Sequence, residues 1–160
     1  MQKPRVKLFQ IEEPDGGPTD PNEAGAAIGI DAGGARAEVA FSVGGNALML
    51  DDRAGFERAL PVPANVAPTT EWQSLFEGAR LRAERALARP VTHAVVVLAV
   101  MPGADAAERL RRAAERAGLK ALRLFGRGEL PAGATPALAA SILAEELAPR
   151  PDLAAAPDPG

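Results

Sequence analysis

The sequence predicts an α/β domain, a mixed five-stranded sheet flanked by helices, with the element order β-β-β-α-β-α-β-α. Three observations carry this. An apolar strand over Ala26–Asp31 is followed by the alternating run Arg36–Val43, which turns through Gly44-Gly45-Asn46 onto Ala47–Leu50 as a meander. The uninterrupted run Ala94–Val100 reads as a central strand covered on both faces. Segments with apolar residues at helical spacing lie before and after that run.

At 160 residues the chain holds one domain with a real core, and its 47% hydrophobic fraction is largely alanine, so that core is small. A net charge of −3 and a pI near 5.3 give no electrostatic basis for binding nucleic acid or an anionic membrane. The absence of cysteine excludes disulfides, zinc ribbons, thiol catalysis and a thiolate-held iron–sulfur cluster. The first residues lack a signal-like apolar run and no stretch approaches a membrane span, so a soluble cytoplasmic protein is expected.

Residues 1–25 read as a flexible N-terminal arm: Val6–Ile11 alternates weakly, and Pro14–Pro21 is turn and linker chemistry. The single domain is expected over 26–147. Ala26–Asp31 is apolar enough for burial on both faces. Arg36–Val43 sets Ala37, Val39 and Phe41 against Arg36, Glu38 and Ala40, the pattern of a half-buried strand. Pro61, Pro63 and Pro68 keep the next stretch irregular. Thr70 and Gln73 have capping-box spacing, and Trp72, Leu75, Phe76, Ala79 and Ala83 form the helical stripe behind them, with Trp72 a core anchor.

His93, with no nucleophile beside it, reads as a surface residue at the start of the fourth strand. Asp105–Glu108 has the spacing of a second cap, and Gly118 with Leu119 closes that helix. Its arginines, Arg109, Arg111, Arg112 and Arg116, alternate with Glu108 and Glu115 as a solvated face. Ala121–Phe125 is the fifth strand. Thr135 caps and Pro136 opens a last helix to about Leu147, and 148–160 is a Pro/Ala/Asp tail expected to be disordered.

The first hairpin carries the chemistry. Gly29-Ile30-Asp31-Ala32-Gly33-Gly34-Ala35-Arg36-Ala37 resembles the first phosphate loop of the seventy-kilodalton heat-shock chaperones, Gly-Ile-Asp-Leu-Gly-Thr-Thr-Asn-Ser. Val97-Leu98-Ala99-Val100-Met101-Pro102 resembles that family's apolar strand ending in Val-Pro. Ala117–Phe125 resembles its Ala-Gly-Leu-x-Val-Leu-Arg-Leu-Leu step. Leu8-Phe9-Gln10-Ile11-Glu12-Glu13-Pro14 looks like the start of the HscA branch, which serves iron–sulfur cluster assembly. The resemblance implies a ribonuclease-H-like fold of the actin-like ATPase kind, and a vestigial phosphate loop at Gly29, Asp31, Gly33 and Gly34.

The departures from the family's pattern set the expected function. The family's two threonine hydroxyls are replaced by Gly34 and Ala35. Each lost charge-assisted phosphate contact is worth about 1.5–3 kcal/mol. No lysine lies between Lys7 and Lys120, so the family's catalytic lysine has no counterpart. Glu129 only vaguely echoes a family glutamate and is given no role. The resemblance reaches neither the second phosphate loop nor the second lobe, and phosphoryl transfer needs positioning from several sides of a cleft.

The expectation is a pseudo-ATPase: a non-enzymatic, chaperone-like protein-binding module with no catalytic residue, no metal and no cofactor. Its partner would be a component of iron–sulfur or metalloenzyme maturation. The alternative is a weak ATP/Mg-binding fragment whose cleft a partner completes. A nuclease would need carboxylates such as Glu77 or Glu84 beside Asp31 and an acid in the fourth strand, and the fourth strand has none.

Overall fold

The computed structural model describes residues 25–50, 60–64 and 67–149. The elements run β1 (Ala26–Ala32), β2 (Glu38–Val43), β3 (Asn46–Met49), α1 (Thr69–Leu87), β4 (Val91–Leu98), α2 (Ala104–Arg116), β5 (Lys120–Gly126) and α3 (Pro136–Leu147), with a 3-10 turn at Arg127–Glu129 after β5. The expected arm and tail, and the stretch after Leu50, lie almost wholly outside the described residues.

The element order is the expected one, and the sheet is five-stranded in the order β3-β2-β1-β4-β5. Strand β1 pairs antiparallel with β2 and parallel with β4, and β4 pairs parallel with β5. Every residue of β1 and β4 is buried, as apolar strands between two helical layers should be. Ile28, Ile30 and Val96 meet Phe76 and Ala79 of α1 and Leu110 and Ala113 of α2 in the larger core. Ala27, Val95 and Val97 meet Ala140 and Ala144 of α3 in the smaller core on the other face.

Gly29 shows why α3 sits so close to the sheet. A Cβ there would lie 2.6 Å from the Ala137 carbonyl oxygen and against the Ser141 amide, so only glycine lets the helix backbone rest on the strand. Helix α2 ends as expected: the Gly118 amide donates to the Glu115 carbonyl and the Leu119 amide to that of Ala114, with Leu119 buried.

Five local expectations are corrected. Strand β2 starts at Glu38, because Arg36 instead bridges Pro61; the Ala37 amide bonds the Leu60 carbonyl, and the Val62 amide bonds that of Ala35. Nor is β2 half-buried: Ala40 and Ser42 are covered by α3, which returns across the meander and fixes its turn. There Glu145 accepts bonds from the Ser42 hydroxyl (2.8 Å) and from the Gly44 and Gly45 amides (2.6 and 3.0 Å).

The expected side-chain caps are the third correction. Helix α1 starts at Thr69 behind Pro68, whose ring already fixes φ, and α2 starts behind Gly103; Thr70 and Asp105 therefore fall inside the first turns. Thr135 does hold the N-cap position before Pro136, but without a side-chain bond. Fourth, β4 spans Val91–Leu98, and Ala99 and Val100 stand exposed beyond it. Last, His93 is a core residue, 2% exposed, because β4 begins at Val91, three residues before the apolar run, and is sandwiched along its whole length.

Candidate functional site at the ends of the parallel strands

The parallel register brings the C-terminal ends of β1, β4 and β5 together, with Ala32 beside Leu98 and Leu98 beside Gly126. In open α/β sheets this is the end at which ligands bind. Asp31 sits there, 2% exposed. By strand alternation from Ala27 and Gly29 it belongs to the α3 face of the sheet.

Both carboxylate oxygens of Asp31 are engaged. Oδ1 accepts the Gly33 amide at 2.9 Å, a turn closed two residues along the chain. Oδ2 accepts Nη2 of Arg127 at 2.7 Å, with Nε of the same guanidinium 3.4 Å from Oδ1. The pairing is close to the bidentate fork that suits arginine to a carboxylate. The hydrogen bond to Asp31 raises the Arg127 pKa above its ordinary value, opposed by partial burial and reinforced by the charges of Asp31 and Glu38.

Arg127 also covers the loop. A Cβ at Gly33 would lie 2.6 Å from Nε of Arg127 and 2.9 Å from its Cδ, and one at Gly34 would meet Nη2 at 3.5 Å. Neither glycine has a positive φ, so a side chain at position 33 would act by displacing the arginine that lies over it and not through its own backbone conformation. The arginine is held in turn by the 3-10 turn after β5, where the Glu129 carboxylate accepts the Gly126 amide at 3.0 Å. Glu129 thus closes the turn that places Arg127.

Of the residues expected in the phosphate loop, Asp31, Gly33 and Gly34 come together at this end of the sheet, and Gly29 lies apart, beneath α3. Sequence reasoning did not find Arg127. The available signal was that a buried aspartate needs a cationic or hydrogen-bonding partner. That partner lies 96 residues away along the chain.

Arginine and aspartate in a closed ion pair supply neither a nucleophile nor a poised base. Among the described residues no group of three or more His, Asp or Glu side chains is placed to hold a metal. The carboxylates of α1 do not approach Asp31, because α1 covers the opposite face of the sheet. Glu84 is engaged there, accepting the Val91 amide at 3.0 Å and pairing with Arg80 at 3.1 Å, and Glu77 is exposed.

His93 is placed for structure. Its Nδ1 lies 2.7 Å from the Thr92 hydroxyl, and Lys120 is its neighbour across β5. Burial lowers its pKa, and the Lys120 charge lowers it further. The arginines of α2 are exposed, with Arg112 3.4 Å from Glu108.

No protein-family model matches this chain, and no curated protein matches it.

Proposed function

We propose that this chain is a non-enzymatic protein-binding module, derived from the ribonuclease-H-like first lobe of a heat-shock chaperone ATPase domain, whose phosphate loop has closed on itself. The observation that carries this reading is the Asp31–Arg127 pair. In the family it resembles, the corresponding aspartate positions magnesium and its waters. Here that carboxylate is consumed by a guanidinium at 2.7 Å and by its own loop amide at 2.9 Å. Replacing the family's hydroxyls with Gly34 and Ala35 fits the same history. The element order and mixed sheet agree with the fold that the resemblance implies.

A module that has lost its chemistry but kept its core acts through its surface. The resemblance of Leu8–Pro14 to the HscA branch makes a component of iron–sulfur or metalloenzyme maturation the partner to test first. Affinity purification of the tagged chain from its native source should return one stoichiometric protein partner. Recovery of free chain alone at native abundance contradicts the proposal. The weak ATP/Mg reading has one observation in its favour, the position of Gly33 and Gly34 at the ligand-binding end of the sheet.

A further inference from the structure

The two edges of the sheet are built differently. Strand β5 is defended: its register slips between Ala121 and Arg123, so that the strand bulges, and Lys120 and Arg123 stand exposed along it. Strand β3 carries none of these devices. It pairs with β2 in unbroken register, Ala40–Met49 through Val43–Asn46, and no charged residue or proline occurs from Val39 to Leu50. An uncharged, regular edge is a template for another strand.

The geometry says what that strand meets. The Leu50 amide donates to the Val39 carbonyl, so by the alternation of an antiparallel ladder Leu48 and Asn46 also bond toward β2. The amides and carbonyls of Ala47 and Met49 therefore point outward. Leu48, paired with Phe41, lies on the face opposite α3, where α1 contacts β2. It is 54% exposed, and Val43 on the same face is 60% exposed.

We infer that β3 is a self-association edge, pairing antiparallel with β3 of a second copy about a two-fold axis through Leu48. In that register Ala47 faces Met49 of the partner, and the two exchange the outward hydrogen bonds at both ends of the axis. The Leu48 side chains meet in a non-hydrogen-bonded pair, with Cα atoms about 4.5 Å apart. Each is flanked by its own Phe41, so the two exposed apolar patches become one. Leu50 falls opposite Asn46 of the partner, and no like charges meet anywhere along the pair. The electrostatics thus permit self-pairing here, whereas at β5 a two-fold pairing about the midpoint of Ala121 and Leu122 sets Lys120 against Arg123 of the partner. The product is a continuous ten-stranded sheet. This inference does not depend on the state of the Asp31 loop.

The chain has no cysteine, which makes the test direct. Sedimentation equilibrium of the full chain should show a dimer. Leu48→Cys should form a disulfide-linked dimer under mild oxidation, and Arg123→Cys on the opposite edge should form no disulfide-linked species. Leu48→Lys should give a monomer with an unchanged circular dichroism spectrum. A monomeric wild-type chain at millimolar concentration overturns the inference, including one whose Ala47 and Met49 amides are protected from exchange by some other occupant. So does crosslinking at position 48 no faster than at 123.

Discussion

Nη2 of Arg127 donates to Oδ2 of Asp31 at 2.7 Å, joining the C-terminal end of β1 to the turn after β5. The aspartate is 2% exposed, whereas the arginine side chain is 44% exposed. The pair therefore couples a buried charge to one that water still reaches. Breaking a fully buried pair costs about 3–5 kcal/mol by leaving one charge uncompensated. Water entering beside Asp31 once the arginine is gone reduces that here.

Arg127→Ala should destabilise the fold by about 1–3 kcal/mol, since a buried carboxylate loses its charged partner. Adding Asp31→Asn removes the orphaned charge, so the double variant should be less destabilised than the sum of the singles by about 1–2 kcal/mol. Urea unfolding of the four proteins measures this coupling. Additive losses mean that the ion pair contributes nothing.

Gly29→Ala separates packing from ligand binding. The methyl group would collide with the backbone of α3 at Ala137 and Ser141, and backbone cannot move aside as a flexible side chain can. The expected loss exceeds about 2 kcal/mol, in the range of overpacked core substitutions. Thermal unfolding reads it, and a melting temperature within a degree or two of the wild type would show that α3 does not rest on β1.

His93 makes stability depend on pH. Its folded pKa lies below the ordinary 6.5, so between those two values the unfolded chain binds a proton that the folded chain does not. Stability is therefore lost as pH falls below 6.5, with a slope of at most about 1.4 kcal/mol per pH unit from this group, until the folded pKa is reached. Unfolding curves of wild type and His93→Gln from neutral to mildly acid pH should diverge in slope over that window. Parallel curves would mean that His93 titrates alike in both states.

Most of the architecture was legible because it is written locally. Apolar runs mark β1 and β4, glycine turns mark the meander, and the i, i+3, i+4 stripe from Trp72 to Ala83 marks α1. What was not legible comes from distant contacts. Ala40 and Ser42 look like the solvent side of β2 until α3, about a hundred residues later, lies on them; their small size is what lets the helix approach. His93 looked exposed for want of a chemical partner, yet a single hydroxyl at 2.7 Å and a covered strand bury it. At the site, Asp31, Gly33 and Gly34 were found by their motif. Arg127 was hidden in Gly126-Arg127-Gly128-Glu129, which reads as a loop with no local reason to face an aspartate.

If the Asp31–Arg127 pair closes the loop after β1, ATP finds no site there. Calorimetric titration of the full chain with ATP, with and without magnesium, tests it most directly. No binding heat is expected at millimolar nucleotide in either condition. Magnesium-dependent binding that disappears in Asp31→Asn would contradict it, because the carboxylate would then be serving a metal and not Arg127.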